Sequence, residues 1–290
     1  MNTTQKLFRT GLLICGFFLL GWGIGLGIKH ASKPSGKLTI LHVNDTHSQM
    51  EPVRSGAYAG MGGVLERAAF IDSVRVADGV ENVLLLHAGD FCQGTTYFTE
   101  FKGALEVQAL NALGYDAVTL GNHEFDNGLE ALGALLSGVE APVVVCNYDF
   151  SPFEAGKYVK PYVIVEKAGL KIGIIGVLCD HLKNMVAGDI GDRLPELEMI
   201  PTVQKYADLL RPQCDLVIAL THIGYTEHNP GDTTDPMLCA ATRGIDMFVG
   251  GHSHTFMEAP DYVKNLDGVP VPIVQTGYMG AYMGEFHYKF

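Results

Sequence analysis

Residues 115–128, YDAVTLGNHEFDNG, join a short apolar run to a polar segment that has glycine on both sides. The run Ala117–Leu120 has the composition of a buried strand, and the glycines are typical of a turn at its end. Outward from this stretch, four more apolar runs end in polar residues, namely Asn44-Asp45-Thr46-His47, Gly89-Asp90, Thr221-His222 and Gly251-His252-Ser253-His254. Stretches of helical character lie between the runs, and this alternation predicts an α/β fold with largely buried strands.

The same reasoning gives the expected boundaries of each element. Strands are predicted at Leu38–Val43, Val83–His87, Ala117–Leu120, Val143–Cys146, Tyr162–Val165, Lys171–Val177, Leu216–Leu220, Met247–Val249, Pro272–Gln275 and Gly284–Phe290, and helices near residues 62–77, 103–113, 128–137, 202–211 and 235–242. Gly169 precedes what looks like the second strand of a hairpin, so the sheet need not be purely parallel. No linker rich in Pro, Gly or Ser divides residues 38–290, so we expect one domain there.

The composition excludes several classes of protein. Of the 290 residues, 47% are hydrophobic and 18% are charged, which is incompatible with a disordered chain. The net charge is −12, and residues 38–290 carry 15 basic against 32 acidic side chains, a net charge of −17. Such a surface repels the backbone of nucleic acids, so nucleic-acid binding is not expected, whereas cation binding is favoured.

Residues 1–37 are expected to be a signal peptide or a signal anchor followed by a polar tether. An uncharged, mostly apolar run of 19 residues, 10–28, follows Lys6 and Arg9 and is long enough to span a bilayer. Both alternatives predict an exported protein, periplasmic or extracellular, and the second adds membrane anchoring through residues 10–28.

The cysteines beyond this run lack Cys-x-x-Cys spacing, so buried free thiols are expected at Cys92, Cys146, Cys179, Cys214 and Cys239.

The polar residues that follow the strands have the composition of a metal site. In open α/β sheets, ligands gather at the carboxyl ends of the strands, where Asp, Asn and His all follow apolar runs here. Imidazole and carboxylate together suit Zn, Mn, Fe, Co or Ni. On extended backbone, Asp45 and His47 share one face, as do His252 and His254, and a bridging carboxylate between two such pairs can hold two metals.

Each motif by itself also fits an ordinary structural role. An Asp after a strand is often a helix cap, and a single His at a strand end is often only hydrogen-bonded. Five such motifs together, four of them with adjacent glycine, favour the metal site. The remaining histidines of residues 38–290 are assigned to packing or surface positions, and these are His42, His87, His181, His228 and His287.

The segments LHVNDTHSQMEP, HAGDFCQGTTY, GNHEFDNG, THIGY and GGHSHT resemble the calcineurin-like metallophosphatases. The match is to the branch that contains exported 5′-nucleotidases, UDP-sugar hydrolases and 2′,3′-cyclic phosphodiesterases. The resemblance implies an α/β fold arranged as a four-layer α/β/β/α sandwich over residues 38–290. It also implies a two-metal hydrolase of phosphate esters that acts on nucleoside monophosphates.

The resemblance further assigns a role to each matching position. Asp45, His47 and His254 correspond to ligands of the first metal. Asp90 corresponds to the bridging carboxylate, and Asn122, His222 and His252 to ligands of the second metal. His123 corresponds to a catalytic histidine that binds no metal, and Asp126 to the acid that orients it.

Several alternatives to a 5′-nucleotidase remain open at this stage. Within the enzyme class they are a 2′,3′-cyclic-nucleotide phosphodiesterase, a UDP-sugar hydrolase and a broad phosphomonoesterase; outside it, a metal-binding subunit without turnover. Similar nucleotidases usually continue into a second domain that binds the base, whereas this sequence stops at Phe290. We therefore expect a separate polypeptide to supply nucleotide specificity, and the competing hypothesis is that the loop Tyr225–Asp235 covers the site.

Overall fold

The computed structural model describes residues 36–186 and 188–290. The run at residues 10–28, predicted to be a signal peptide or anchor, and nearly all of the tether at 29–37 lie outside these ranges. Over the two described ranges, no helix combines the length and apolar character needed to cross a bilayer.

The described residues contain twelve strands and seven α-helices. The strands are β1 (Lys37–Val43), β2 (Val83–Ala88), β3 (Ala117–Thr119), β4 (Val143–Val144), β5 (Val159–Lys160), β6 (Tyr162–Lys167), β7 (Leu170–Leu178), β8 (Leu216–His222), β9 (Met247–Val249), β10 (Asp261–Lys264), β11 (Pro270–Val274) and β12 (Gly284–Lys289). The helices are α1 (Val64–Asp78), α2 (Thr96–Phe101), α3 (Ala104–Leu113), α4 (Leu129–Leu136), α5 (Ile190–Arg193), α6 (Met199–Leu210) and α7 (Asp235–Ala241).

All ten predicted strands and all five predicted helices are present, and their ends differ by up to three residues. The sequence prediction missed β5 and β10, together with the short helices α2 and α5. These elements are two to six residues long, which is too short for a hydrophobic period to be recognised. The five cysteines, Cys92, Cys146, Cys179, Cys214 and Cys239, are buried and free, as predicted.

The strands form two six-stranded mixed sheets. The first sheet has the order β12-β1-β2-β3-β4-β5, in which only β12 runs antiparallel to its neighbour. The second has the order β10-β11-β9-β8-β7-β6, in which the edge strands β10 and β6 are antiparallel to theirs. The hairpin predicted around Gly169 is the pairing of β6 with β7. Both sheets therefore have a parallel centre.

Alternate residues of each central strand point to opposite faces of its sheet and pack against different neighbours. In β1, Leu38 and Ile40 share a core with Ile174 and Ile218 of the second sheet, so the two sheets pack face to face. The opposite faces of the first sheet's strands pack against α1, α3 and α4, and those of the second pack against α6 and α7. A strand buried on both faces needs apolar residues at nearly every position, as β2 and β8 have.

The two sheets meet at the ends of β2 and β8. His222, the last residue of β8, donates from Nδ1 to the carbonyl oxygen of Ala88, the last residue of β2, at 2.7 Å. The carboxyl ends of parallel strands from both sheets are therefore joined at one edge, where the loops after β1, β2, β3, β8 and β9 converge.

Candidate metal centre

The structure brings all nine predicted site residues to this edge. Three groups of potential ligands consist only of those residues: Asp45 with His47 and His254; His47 with Asp90 and His123; and Asp90 with His222 and His252. Within each group the ligand atoms lie no more than 4.8 Å from one another. His47 and Asp90 each belong to two groups, so the three groups form one connected cluster.

The backbone of the ligand segments differs from the sequence-based expectation. Asp45 and His47 were expected on extended backbone, but their φ angles are 49° and 46°; His252 and His254 have φ angles of 79° and 54°. The expectation of extended segments is therefore wrong. β1 and β9 end at Val43 and Val249, and the chain then turns through left-handed residues. Each Asp-x-His or His-x-His pair converges by turning and not by strand alternation.

Backbone hydrogen bonds hold the first ligand segment in this conformation. The Asp45 amide donates to Gly89 O and the His47 amide donates to Asp90 O, each at 3.0 Å. The Asn44 side-chain amide donates to Gly277 O at 2.7 Å, and its oxygen accepts from the Thr276 amide at 2.8 Å. Left-handed residues other than glycine are strained, so such a segment persists only where its surroundings determine it.

Two glycines leave the space that the histidines occupy. A Cβ atom at Gly121 would overlap the carboxylate of Asp90 and the Nε2 atom of His222. A Cβ atom at Gly251 would lie 2.6 Å from Ala88 O and 2.8 Å from His222 Nδ1. The glycines next to the site motifs thus allow the backbone to pass directly beside the ligand side chains.

The first ligand group is centred on the buried carboxylate of Asp45. Its Oδ1 lies 3.4 Å from His254 Nε2 and 3.8 Å from His47 Nε2, and the two imidazole nitrogens lie 3.0 Å apart. Its Oδ2 accepts from the His252 amide at 2.9 Å and from Asn44 Nδ2 at 2.5 Å. Three potential ligand atoms therefore converge, while the second carboxylate oxygen is held by the chain.

The second ligand group is centred on Asp90. Its Oδ2 lies 3.1 Å from His222 Nε2, and its Oδ1 accepts from the backbone amide of His123 at 3.0 Å. His222 Nδ1 must carry a hydrogen because it donates to a carbonyl, so in the neutral ring Nε2 keeps its lone pair and faces Asp90. The ring of His252 lies 5.1 Å from that of His222, centroid to centroid.

Unsatisfied buried atoms show that these residues fit a metal. Asn122 Oδ1 and His252 Nε2 are buried without a hydrogen-bond partner. A buried polar atom without a partner costs about 1–3 kcal/mol, so two in one cluster need an explanation. Amide oxygen, imidazole nitrogen and carboxylate are the donors that Zn, Mn, Fe, Co and Ni accept.

The electrostatics of the cluster favour positive charge at its centre. Burial opposes ionisation of Asp90, but the charge and hydrogen bond of His222 outweigh burial and hold the pKa of Asp90 well below its usual range. Burial likewise disfavours a charged His222, but Asp90 and Asp45 raise its pKa to about 10. Burial and the neighbouring His222 lower the pKa of His252 to about 4. The two carboxylates that attract a proton to His222 would attract a cation in the same way.

His123 stands apart from the ligands in its contacts. Its ring nitrogen Nδ1 lies 2.9 Å from Asp126 Oδ2, and both side chains are partly exposed. Burial acts to lower the pKa of His123, but the Asp126 hydrogen bond and the charges of Asp90 and Asp126 raise it to about 9. The two residues meet across one 3₁₀ turn, Asn122–Phe125, as their spacing predicted.

The sequence analysis overlooked Glu124, which lies within the GNHEFDNG motif. Its buried carboxylate accepts from the amides of Asp90 at 3.0 Å, Cys92 at 2.9 Å and Gly121 at 2.6 Å. Burial and repulsion from Asp90 raise the pKa of Glu124 to about 7. Glu124 thereby joins the loops after β2 and β3. Its position between His123 and Phe125 in the motif was the available signal, but nothing in a sequence shows which amides it binds.

A pocket of about 310 Å³ opens onto the second ligand group. Its lining residues are Asp90, Asn122, His123, Asn184, Met185, His228, Asn229, His252 and His254. His228, which the sequence analysis assigned to an ordinary surface or packing position, is therefore part of the pocket wall. The loop Tyr225–Asp235 contributes His228 and Asn229, so it borders the site.

The comparisons with known proteins agree with this geometry. The model of the calcineurin-like phosphoesterase family matches residues 38–256. The chain belongs to the calcineurin-like phosphoesterase family. The matched region begins near the start of β1 and includes every predicted site residue.

Among curated relatives, the venom 5′-nucleotidase of the snake Gloydius brevicauda is 36% identical in an alignment 277 residues long, which covers 88% of this chain and 45% of the relative. The solved structure of a 5′-nucleotidase precursor from Thermus thermophilus superposes with a TM-score of 0.77 at 33% identity, covering 88% of this chain and 51% of that one. The NAD nucleotidase of Haemophilus influenzae gives a TM-score of 0.75 at 31% identity, covering 88% and 47%. The chain thus spans about half the length of these calcineurin-like phosphoesterase relatives.

Proposed function

We propose that this chain is the catalytic part of a metal-dependent phosphoric ester hydrolase, a 5′-nucleotidase that acts on nucleoside monophosphates. The observation that carries the proposal is the position of Asp90, whose carboxylate groups with His47 of the first ligand set and with His222 and His252 of the second. A carboxylate common to two groups is the arrangement that two-metal hydrolases need. The similarity to proteins named 5′-nucleotidases supports the choice of substrate.

In this proposal the cluster holds two divalent ions, chosen from Zn, Mn, Fe, Co and Ni. Asp45, His47 and His254 hold the first ion. Asn122, His222 and His252 hold the second, and Asp90 binds both. Such ions lower the pKa of water and neutralise the charge of a phosphate ester. The unsatisfied atoms of Asn122 and His252 support the second set.

The proposed role of His123 follows from its hydrogen bond to Asp126. That bond places the proton on Nδ1 and fixes the plane of the ring, so Nε2 keeps one direction. His123 lines the pocket with the ligands but needs no metal of its own. As a cation it can donate from Nε2 to a phosphoryl oxygen or to the departing ester oxygen. The intact pair argues against a metal-binding subunit without turnover, because metal retention requires neither residue.

Recognition of the base is proposed to come from residues outside this pocket. Among the described residues, no Phe, Tyr or Trp lines the pocket. Phe91 and Phe125, which lie close to the site in sequence, are 2% and 0% exposed and belong to the core, so neither can stack on a base. A separate polypeptide that supplies the nucleotide-specificity surface remains our proposal. Without a base clamp, remote binding energy cannot assist turnover.

We further propose that residues 1–37 direct export and that residues 38–290 form the catalytic domain. The uncharged run at residues 10–28 supports a signal peptide or a membrane anchor, which would place the enzyme in the periplasm or outside the cell. The family match begins at residue 38, in agreement with a domain that starts there. The net charge of −17 for residues 38–290 supports the absence of nucleic-acid binding.

A substrate panel tests the function directly. The purified chain, with each candidate metal added in turn, is assayed on nucleoside 5′-monophosphates, 2′,3′-cyclic nucleotides, UDP-sugars, NAD and p-nitrophenyl phosphate. We expect metal-dependent release of phosphate from the monophosphates, with weak discrimination among bases. Preference for cyclic nucleotides or UDP-sugars would replace the proposed substrate, and full activity after chelation would reject the metal mechanism. Sharp base discrimination at high turnover would show that no partner polypeptide is needed.

A further inference from the structure

The pocket at the metal centre has a second wall that the proposed mechanism does not use. One side consists of the proposed ligands and His123, and the other side is formed by Asn184, Met185, His228 and Asn229. We propose that Asn184, His228 and Asn229 form a subsite for the hydroxyl groups of a sugar attached to the phosphate. This inference rests on the proposed function and assigns residues that bind the ribose of a nucleoside monophosphate.

The position of His228 places it beside any ester bound at the second ligand group. The ring of His228 lies 5.2 Å from the ring of His252, centroid to centroid, and His228 is exposed to solvent. A phosphate bound near His252 and His123 therefore presents the remainder of the ester to this wall.

The loop that carries His228 is held in place on both sides. The Asp232 carboxylate accepts from the Asn229 amide at 2.6 Å, and Asp180 accepts from the Thr233 amide at 3.1 Å. The Tyr225 amide donates to Ser253 Oγ at 2.9 Å, within the segment that carries two of the ligands. These bonds fix the wall relative to the ligands, as a binding subsite requires.

The polar groups of the wall are available for a ligand. Within residues 36–186 and 188–290, the side-chain amide of Asn184 and the ring of His228 make no hydrogen bond to other protein groups. The Asn229 side chain makes one long bond, 3.3 Å, from Nδ2 to Asp232. Side-chain amides and imidazoles form hydrogen bonds with hydroxyl groups, which both donate and accept.

The composition of the wall favours hydroxyl groups over other leaving-group chemistry. None of its four residues is an arginine or lysine that would bind a second phosphate, and none is a Phe, Tyr or Trp. Met185 contributes one apolar surface beside the polar groups. Hydrogen-bonding side chains next to a phosphate-binding metal centre match a phosphorylated sugar.

The test compares two phosphate monoesters that differ in the leaving group. The leaving group of ribose 5-phosphate carries free hydroxyl groups, whereas the p-nitrophenyl group of p-nitrophenyl phosphate carries no free hydroxyl group. In the metal-loaded full chain, His228→Ala and Asn184→Ala are each expected to lower kcat/KM for ribose 5-phosphate by about 10-fold, the scale of one lost hydrogen bond. With p-nitrophenyl phosphate, kcat/KM and the bound metal should stay within about twofold of wild type. Glu227→Gln, an exposed neighbour outside the pocket lining, is the matched control and should change neither substrate.

Two results would overturn the sugar subsite. Equal losses on both esters would show that these side chains act on the phosphoryl group or the metals, and unchanged kinetics on ribose 5-phosphate would show that they do not touch the sugar. Failure of the proposed function can be distinguished from failure of the subsite by the wild-type protein alone. In that case the wild-type protein would hydrolyse p-nitrophenyl phosphate but not AMP.

Discussion

His123 Nδ1 lies 2.9 Å from Asp126 Oδ2, while the backbone amide of the same histidine donates to Asp90 Oδ1 at 3.0 Å. The side chain of His123 therefore belongs to the proposed proton chemistry, and its backbone supports a proposed metal ligand. The two contacts can be separated by mutation, because a change of side chain leaves the backbone amide in place.

We predict that His123→Ala lowers kcat by about 100-fold or more with little change in bound metal, since an acid–base group contributes on this scale. Asp126→Asn should lower kcat less, because the ring remains but loses its carboxylate partner. Metal content by mass spectrometry and steady-state kinetics on one sample check both. Loss of metal from His123→Ala would show that this side chain is a ligand.

We predict that Asp90→Asn impairs both metal sites. Asp90 belongs to two ligand groups, and it is the carboxylate that faces His222 Nε2 at 3.1 Å. The variant should bind fewer than two ions per chain and lose nearly all activity. Asp72→Asn, a neutralised carboxylate at an exposed position of α1, is the control and should retain both properties. Full occupancy of both sites in Asp90→Asn would rule out a bridging role.

We predict that Glu124→Ala lowers both stability and metal affinity, although Glu124 is not a proposed ligand. Three backbone amides donate to its carboxylate, and two of them belong to the loop after β2 that carries Asp90. Leaving buried amides unpaired costs about 1–3 kcal/mol each, so a loss of several kcal/mol in the free energy of unfolding is expected. Denaturant titration and metal titration measure the two effects. Unchanged metal affinity in a destabilised variant would limit Glu124 to a folding role.

We predict that stability falls as the pH is lowered from about 6.5 to about 4, in part because of His42. Burial lowers the pKa of His42 to about 4, whereas the unfolded chain takes up this proton near the ordinary value of 6.5. Between these values the unfolded state binds more protons, so acid favours unfolding. His42→Gln should reduce the slope of unfolding free energy against pH in this range. A slope unchanged by His42→Gln would contradict this contribution.

The sequence was sufficient for the order of the longer elements and for nine of the residues that gather at the site. Apolar runs such as those of β2 and β8 identify buried strands by composition alone, and the polar residues after them follow from the rule that parallel strands carry ligands at their carboxyl ends. Asp90 and His222 could thus be placed at one edge although 132 positions separate them in the chain.

Only the tertiary structure decided how those residues face one another. The left-handed turns at Asp45, His47, His252 and His254 depend on hydrogen bonds from the loops after β2 and β11, which no local pattern shows. Non-local contacts also place Glu124, whose carboxylate accepts from the amide of Asp90. His228 likewise lines the pocket only because its loop folds beside residues distant in sequence. Local sequence determines which backbone conformation a segment prefers. A strained conformation persists only where non-local contacts offset its energetic cost, so it cannot be predicted from the local sequence.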